Sequence, residues 1–590
     1  MKKIVLIEPK TKKGHVYSAT RMPRLGLPLL GAKLKAAGYD PVLYMAPVAK
    51  LPWASILQAD LVGISTTTST CQETYKIAAF LRAQGMTVVI GGIHATYMPE
   101  EALQYCDYVV RGEADNHFLP LVDCLATQNI PIDIPGVSYH NGERVVHNPC
   151  STEPVNLDEQ PFPDLSLFAQ GKPSMAIPVM TSRGCPFNCT FCSVTQMFGR
   201  KYRFRSTENI LQELERYRGR SIFFCDDNFT ADLRRTKQLL QGILDNNINL
   251  KSWGGQMRVE AAKDPELLEL MNKTGGDMVY VGLESINPAT LEAYNKKQTV
   301  DEIRESIKLF HQHKIRVHGM FVFGSDADTV ETIRDTVDFA LETRIDTVQF
   351  LMLTPIVGTD LYNKLEEEGR LLTKEWELYD GHHAVFQPAL MSPEELQQET
   401  FAAFKKFYAL RNIFQNFFYT GWGSSFYRGL GWLMVKRFNK QNLWYNRVLQ
   451  NLQQSSNKAV RLLDCRIQDS KVQVSATAEN MSNYLKIYLT ETNGVFYLQM
   501  NGFLNRFTLK ELKRSLKNLL PKHCFHLVVN TEELHFISER YARSFSRFLD
   551  KLGKRTRRLQ LIYLADSEKH LLLKRNVLKI PRFELFLNKR

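Results

Sequence analysis

Three closely spaced cysteines are the residues of this chain with the most informative chemistry. Cys185, Cys189 and Cys192 are separated by three and then by two residues. Thiolates at this spacing can hold three corners of a cuboidal iron–sulfur cluster, whose full ligand set is usually four cysteines. No fourth cysteine lies nearby, so one iron is left for another ligand. Zinc is the alternative, but zinc sites commonly add further cysteines or histidines, and the loop has no histidine.

The cysteines follow the first of six strand–helix units that we predict between residues 176 and 375. The predicted strands are 176–181, 221–225, 251–257, 278–282, 316–323 and 347–353. This repetition predicts an α/β fold with a partial (β/α)6 barrel. In such barrels the chemistry lies at the C-terminal ends of the strands.

Residues 1–135 alternate short apolar runs with amphipathic stretches, which predicts a parallel, doubly wound sheet. Such sheets bind ligands just beyond the carboxyl ends of their strands. Residues 136–175 are rich in proline and polar residues, which predicts a linker or strap.

The cysteine spacing, with Phe191 before the last cysteine, resembles the hallmark of the radical S-adenosylmethionine (SAM) superfamily. The resemblance implies a [4Fe–4S] cluster whose open iron binds the amino and carboxylate groups of SAM. It also implies reductive cleavage of SAM to a 5′-deoxyadenosyl radical, with a low-potential electron donor as partner.

Further strand ends fit the SAM site of this superfamily. Asp226 and Asp227 replace a Gly-Gly-Glu-like segment that accepts hydrogen bonds from the SAM ammonium. An exposed acidic pair is the alternative interpretation. Glu284 and Ser285 match a polar contact to SAM, and Gly324 lies in a glycine motif that lets the backbone approach adenine.

The first segment resembles the cobalamin-binding domain that precedes the barrel in one large radical SAM class. The contacts implied by this resemblance are Ser65, Thr66, Gly91, Gly92, His94 and Glu113. The sequence has no Asp-x-His-x-x-Gly, so no histidine of the usual kind is expected below the cobalt. His94 is interpreted as a loop histidine near the corrin edge. A doubly wound sheet without a cofactor is the alternative.

By overall layout the chain resembles the class of the hopanoid C-2 methylases and the anaerobic magnesium-protoporphyrin cyclases. The resemblance implies an enzyme that uses a [4Fe–4S] cluster, SAM and cobalamin. We expect it to methylate an unactivated carbon of a small-molecule or lipid substrate. Radical cyclisation, rearrangement or hydration with the same cofactors is one alternative. A cobalamin- or redox-responsive regulator is another.

The positive charge of the chain lies in its last third. Residues 1–400 carry a net charge of −9, whereas residues 401–460 hold nine basic residues, fifteen aromatic residues and no acidic residue. We therefore predict an aromatic, basic helical extension over 376–460. It fits a helical cap, a peripheral contact with an anionic membrane, or nucleic-acid binding.

Residues 465–590 resemble a STAS-like domain, a small α/β module found in sulfate transporters and anti-sigma-factor antagonists. Ser538 is the nearest match to the hydroxyl that is phosphorylated in the antagonists. The resemblance implies a protein partner or regulation.

The sequence also bears on localisation. The apolar run after Met1 is too short for a signal peptide, and no stretch of about 18 uncharged apolar residues occurs. Ten cysteines in 590 residues do not form the pattern of a disulfide framework. We expect a cytoplasmic protein.

Overall fold

A computed structural model describes residues 1–11, 22–169, 176–199, 201–415 and 423–436, together with strands and scattered positions between 445 and 588. The chain forms two compact units. The first contains Met1–Leu371 and Trp376–Leu443, and the second contains Leu372–Glu375 and Trp444–Arg590.

The first sheet of the larger unit has the strand order β2-β1-β3-β4-β5-β6-β7 within the described residues. Its first five strands run parallel, as predicted from their continuous apolar runs. The strands are β1 (Lys3–Glu8), β2 (Asp40–Met45), β3 (Leu61–Ser65), β4 (Thr87–Gly91), β5 (Tyr108–Val110), β6 (Val137–Asn141) and β7 (Arg144–His147).

The structure extends this sheet beyond the boundary at residue 135. Strands β6 and β7 form an antiparallel hairpin on β5, inside the segment 136–175 that we predicted as a linker. Val137 and Tyr139 point into the core of the sheet, whereas β7 is mostly exposed. An edge hairpin buries too few side chains to stand out in a segment rich in proline and polar residues.

Helices cover both faces of the first sheet. They are α1 (Gly26–Ala36), α2 (Trp53–Ile56), α3 (Cys71–Ala83), α4 (Ile93–Tyr97), α5 (Pro99–Leu103) and α6 (Phe118–Ala126). Their buried side chains pack on the apolar strands; Leu34 and Leu121, for example, join Leu6 and Val89 in one cluster. This layer fixes the carboxyl ends of β1, β3, β4 and β5 at one edge of the sheet.

The second sheet is the predicted partial barrel. Its order is β15-β14-β13-β12-β11-β8, with every neighbouring pair parallel. The strands are β8 (Ala176–Val179), β11 (Ser221–Phe224), β12 (Ser252–Met257), β13 (Gly276–Glu284), β14 (Arg316–Phe323) and β15 (Thr347–Met352). A short antiparallel pair, β9 (Ser182–Arg183) and β10 (Arg203–Phe204), follows β8.

Seven of the eight described helices of the barrel begin at side-chain caps. Ser206 accepts a hydrogen bond from the amide of Asn209 at the start of α8, as the sequence predicts. Thr299 and Thr329 form capping boxes at α12 and α13. The helices are α7 (Ser193–Phe198), α8 (Thr207–Glu215), α9 (Leu233–Asp245), α10 (Pro265–Lys273), α11 (Pro288–Ala293), α12 (Val300–Gln312), α13 (Val330–Glu342) and α14 (Asp360–Glu367).

The segment after the barrel, predicted as helical over 376–460, forms only a short 3-10 turn at Trp376–Leu378 before residue 393 and is helical in most of the described residues from 393 to 436. Helix α15 (Pro393–Phe407) packs on α13 and β15, and residues 410–415 and 423–436 are also helical. Among the described helices none is both long enough and apolar enough to cross a membrane.

The second unit contains a mixed sheet. Strand β16 (Leu485–Thr492) pairs antiparallel with β17 (Val495–Leu504), and the remaining strands run parallel to β17. These strands are β18 (His526–Asn530), β19 (Leu534–Phe536), β20 (Arg558–Leu564) and β21 (Phe583–Asn588). Ser538 lies outside the described residues.

Candidate active site

The three cysteines lie in the loop between β9 and α7. Cys192 is the residue just before α7, and its amide donates a hydrogen bond of 3.1 Å to the carbonyl of Cys189. All three cysteines are partly exposed. Burial raises the pKa of Cys192 to about 11 and also raises that of Cys185. Burial thus disfavours the thiolate form of the cysteines. A bound cation offsets this effect, because a coordinating thiol is deprotonated outright. The donor set therefore fits a cluster in one solvent-accessible loop.

The cysteine loop is fixed to the barrel by the turn after α11. The Thr190 hydroxyl donates a hydrogen bond of 3.0 Å to the carbonyl of Ala293, and the Asn295 side chain donates one of 2.9 Å to the carbonyl of Asn188. The Phe191 ring packs against Tyr294 with 4.7 Å between ring centroids. Phe191 therefore anchors the loop, and its contact with SAM, which the resemblance implies, stays a prediction.

Asp226 accepts hydrogen bonds from the two residues that lead into the cysteine loop. Its carboxylate accepts hydrogen bonds from the amide and hydroxyl of Thr181, at 2.8 and 3.0 Å, and from the amide and hydroxyl of Ser182. The side chain is buried, and a carboxylate offers about four acceptor positions. The structure therefore differs from the prediction for Asp226: its acceptor sites are used within the protein.

Asp227 keeps acceptor capacity beside the cysteines. One of its oxygens accepts a hydrogen bond of 3.2 Å from the amide of Gly184, the residue before Cys185. Burial raises the pKa of Asp227 to about 6. A cationic ligand beside this carboxylate would offset that cost, so Asp227 fits the predicted ammonium contact better than Asp226.

Glu284 ends β13 at a register shift and forms a buried ion pair. Its Oε1 accepts from Lys296 Nζ at 2.7 Å, and its φ is 61°. A Cβ on Gly282 would lie 2.5 Å from this oxygen, so a larger residue there would have to displace the ion pair. Next to it, Ser285 is buried, and its hydroxyl accepts a hydrogen bond from the amide of Asn287.

Gly324 follows β14 with a φ of 105°, a backbone conformation that favours glycine. Its amide donates to Asp328 Oδ2 at 3.0 Å, and a Cβ would meet Leu396 of α15 at 3.0 Å. The glycine therefore brings the extension close to the strand end.

One large cavity joins the edge of the first sheet to the interior of the barrel. Its volume is about 760 Å³, and it lies beyond the carboxyl ends of β1, β3, β4 and β5. From the first sheet it is lined by Glu8, Ser65, Gly91, Gly92, Glu113 and Asp115, and from the barrel by Pro178, Met180, Arg183, Phe223, Cys225, Gln256, Tyr280, Met320 and Gln349.

The small residues at the strand ends fit a bulky planar cofactor. Ser65, Gly91 and Gly92, which the resemblance implies as cobalamin contacts, line the cavity. Gly92 has a φ of 102°, and a Cβ there would lie 2.3 Å from the carbonyl oxygen of Thr66. Thr66 itself is buried, and its hydroxyl forms hydrogen bonds with the hydroxyls of Thr70 and Thr74. His94 is buried in α4 and does not line the cavity.

Glu113 is engaged by arginines of the barrel. It accepts a hydrogen bond of 2.7 Å from Arg183 and forms an ion pair of 2.9 Å with Arg203. Arg183 also forms a bidentate pair with Asp115, with distances of 2.7 and 2.9 Å. Glu113 therefore helps to join the two sheets as well as lining the cavity. Arg183 lies about 70 positions from both carboxylates and Arg203 lies 90 positions from Glu113, so no local pattern could reveal these pairs.

The barrel interior contributes residues that the sequence analysis did not select. Tyr280, Met320 and Gln349 line the cavity from three successive strands. A signal was present in the sequence, since inward side chains alternate along a strand. The alternation gives candidates on both faces, however, and only the sheet order decides between them.

The comparisons with known proteins agree with this geometry. The model of the radical SAM superfamily matches residues 179–340, and the model of the B12 binding domain matches residues 16–122. An uncharacterized methyltransferase of Pyrococcus horikoshii is 30% identical over 440 residues, covering 70% of this chain and 95% of the relative. The chain belongs to the radical SAM superfamily. It carries a B12 binding domain before the barrel, as predicted.

Two other similar proteins add to this picture. The bacteriochlorophyllide d C-12(1)-methyltransferase of Chlorobaculum tepidum is 27% identical over 409 residues, covering 67% of this radical SAM protein and 85% of the relative. The solved structure of the cobalamin-dependent radical SAM enzyme OxsB, with aqua-cobalamin and SAM bound, has a TM-score of 0.56 at 16% identity. The match covers 77% of this chain and 75% of that structure, and it supports the fold described above. The predicted cofactors, a [4Fe–4S] cluster, SAM and cobalamin, are confirmed by the two domains.

Proposed function

We propose that this radical SAM protein methylates an unactivated carbon of an apolar substrate. The continuity of the cavity from the edge of the first sheet to the barrel interior carries the proposal. Both of the sequence relatives described above are named methyltransferases. A substrate held in the barrel mouth is open on one side to the first sheet and close to the cysteine loop.

The cofactors supply the difficult chemistry: with SAM on the cluster a hydrogen atom can be removed from carbon, and cobalamin can supply the methyl group. The protein must then exclude water from the cavity and hold the first sheet and the barrel in fixed relative positions. Met180, Phe223 and Met320 give the cavity apolar walls. Arg183 links the residue pair Glu113 and Asp115 to the start of the cysteine loop.

The lining of the barrel favours a largely apolar substrate, such as a lipid. Its polar groups on the described strands include the neutral amides of Gln256 and Gln349, which can donate and accept hydrogen bonds. Such groups orient a hydroxyl or carbonyl without requiring a charge on the substrate. Binding sites of this kind combine apolar walls with a few polar groups that fix orientation.

Anaerobic reconstitution with trideuteromethyl-SAM tests the proposal. The full chain is loaded with cluster and cobalamin, reduced by a low-potential donor, and incubated with an extract of apolar metabolites. We expect a product that gains one trideuteromethyl group in place of hydrogen. The Cys185→Ala variant should make none, because the cluster loses a ligand.

Two other outcomes would replace the proposal. A product without the label would favour another radical outcome: a changed mass would indicate cyclisation or hydration, and an isomer of unchanged mass would indicate rearrangement. Reconstituted protein that binds cobalamin but cleaves no SAM, in wild type as in Cys185→Ala, would favour the regulator.

We also propose that the extension touches an anionic membrane surface, which would bring the barrel close to a lipid substrate. The support is a group of exposed apolar side chains on the described helices: Leu410, Phe414, Phe426, Leu430 and Leu433. Exposed Lys405 and Arg411 lie nearby in the chain. Apolar and basic residues together favour binding at the interface.

Sedimentation with phosphatidylglycerol vesicles tests this contact. Wild type should bind, and the double variant Phe426→Glu/Leu433→Glu should lose at least tenfold in affinity. Ile132→Glu changes an equally exposed aliphatic residue of the first sheet region and serves as the control. Equal binding by all three proteins would refute the contact.

For the second unit we propose a STAS-like docking module for a protein partner. Its support is the mixed sheet, with an antiparallel first strand followed by parallel strands. Removing residues 465–590 should leave the labelled methyl transfer in place. Loss of methyl transfer from the truncated, cofactor-loaded protein would instead assign the unit a part in catalysis.

A further inference from the structure

A second group of metal-binding side chains lies behind the first sheet edge. Cys71 is the first residue of α3, His94 lies in α4, and Glu101 lies in α5. One ligand atom of each falls within 4.8 Å of the others. None of the three lines the large cavity.

The histidine of this group has an unused ring nitrogen. His94 is 1% exposed, and its Nε2 has no hydrogen-bond partner. The nearest acidic oxygen, Glu101 Oε1, is 3.6 Å away, beyond hydrogen-bond reach. A buried nitrogen without a partner is rare in proteins and requires an explanation.

The surrounding residues orient the ligands as the outer shell of a metal site does. His94 Nδ1 faces the Thr68 hydroxyl at 3.4 Å, so that Nε2 is turned towards Glu101. The Trp376 indole N–H lies 3.1 and 3.2 Å from the two oxygens of Glu101, and its ring packs edge-on against His94. Metal-binding histidines and carboxylates are commonly held by such partners.

We propose that Cys71, His94 and Glu101 form a zinc site that pins α3, α4 and α5 to Trp376. A thiolate and a carboxylate neutralise a divalent cation, which suits a buried position. Sulfur, imidazole and carboxylate together are a donor set that zinc accepts, with a water in the fourth position.

The distances allow this ion with a small movement. Two ligand atoms of a tetrahedral zinc ion lie about 3.3–3.7 Å apart, given Zn–N of about 2.0 Å and Zn–S of about 2.3 Å. The separation of 3.6 Å between His94 Nε2 and Glu101 Oε1 already fits. The Cys71 sulfur lies within 4.8 Å of both atoms, so a shift of about 1 Å is enough to close the site.

Zinc analysis of the full chain tests the site, in a background that lacks the cluster thiols. The triple variant Cys185→Ala/Cys189→Ala/Cys192→Ala is loaded with zinc chloride, desalted and measured by inductively coupled plasma mass spectrometry. We expect about one zinc per chain. Adding Cys71→Ser or His94→Gln should lower the zinc content at least tenfold.

Cys106→Ser is the matched control, because Cys106 is equally buried in the same half of the unit. It should retain the zinc. A triple variant that binds no zinc would overturn the proposal, as would equal zinc in the His94→Gln and control proteins. If Cys71→Ser and His94→Gln do not fold, the parent alone decides: zinc must raise its Tm, and cobalt(II) must give a thiolate-to-cobalt absorption band. Absence of both would also overturn the site.

Discussion

Arg183 and Asp115 form a buried bidentate ion pair between the two sheets of the larger unit. Both guanidinium nitrogens contact the carboxylate, at 2.7 and 2.9 Å, and the side chains are 11% and 9% exposed. Burial favours the neutral acid, but the hydrogen bonds and charge of Arg183 hold the pKa of Asp115 below its usual value. Because Arg183 lies two residues before Cys185, the pair fixes the cysteine loop relative to the first sheet.

Asp115→Asn should therefore loosen the position of the cysteine loop relative to the first sheet. We expect SAM cleavage without product to increase severalfold, while the iron content stays unchanged. Removing one partner of a buried pair costs about 3–5 kcal/mol, and the remaining contact of Arg183 with Glu113 should reduce the loss to about 1–3 kcal/mol. Calorimetry measures the stability, and the ratio of 5′-deoxyadenosine to product measures the coupling.

The control for this variant is Glu342→Gln, which removes an exposed pair with Arg304. Exposed pairs contribute about 0–1 kcal/mol, so its Tm should barely change. Equal coupling ratios in Asp115→Asn and wild type would show that the pair does not position the loop.

Gly92→Ala should reduce the cobalamin content of the protein. The new Cβ would lie 2.3 Å from the carbonyl oxygen of Thr66, so β4 and the Thr66 loop must separate at the edge of the cavity. We expect cobalamin per chain, measured by visible absorption, to fall at least fivefold.

Gly85→Ala separates this clash from backbone strain. Gly85 also has a positive φ, of 78°, but nothing lies within 4 Å of a Cβ there. It should lose some stability and keep its cobalamin. If both variants lose cobalamin equally, the close approach at Gly92 is not what shapes the site.

Met320→Trp should block the substrate without removing the cofactors. The larger ring would fill the barrel interior, where Met320 lines the cavity beside Tyr280 and Gln349. Cluster and cobalamin contents should match wild type, while product formation falls at least a hundredfold. Met320→Leu conserves volume and should stay within a few-fold of wild type. An unchanged rate in Met320→Trp would place the substrate elsewhere.

His318 should make the stability of the larger unit depend on pH. It lies on the same face of β14 as Met320, and burial lowers its pKa to about 4. Between this value and about 6.5, the unfolded chain binds the extra proton, so stability must fall as the pH drops through that range. His318→Gln should lose less stability than wild type between pH 7 and pH 5.

Between pH 7 and pH 5, the free energy of unfolding should fall in wild type by at most about 2 kcal/mol more than in His318→Gln, since each pKa unit is worth about 1.4 kcal/mol. Water in the barrel interior will reduce it. Thermal unfolding at both pH values measures the effect, with His140→Gln at an exposed position as control. Parallel pH profiles for wild type and His318→Gln would exclude His318 as the cause.

The sequence predicted the scaffold well because each strand of the barrel is a short apolar run between polar caps. The bounds of β14 agree to the residue, and those of β8, β11, β12 and β15 to within two residues. The chemistry of the cysteine loop was equally predictable from the sequence, since it depends on local spacing. Strands β6 and β7 were missed because an edge hairpin carries little apolar periodicity.

The roles of single side chains depend on partners far away in the sequence. Asp226 and Asp227 are neighbours with the same chemistry, yet Asp226 is used by Thr181 and Ser182 and Asp227 is not. Glu113 could not be assigned to Arg183 from its own surroundings. His94 follows a glycine pair at a strand end, but its helix turns it away from the cavity and towards Glu101.

The proposed function requires cobalamin at the first sheet and the iron–sulfur cluster on the cysteine loop to lie close to the same cavity, which Arg183 lines at the start of that loop. Electron paramagnetic resonance of the reduced, full-length protein loaded with cob(II)alamin tests it most directly. We predict that the cobalt signal is broadened or split by the reduced cluster, and that the effect disappears in Cys185→Ala. A cobalt signal that is identical with and without the cluster would contradict the account.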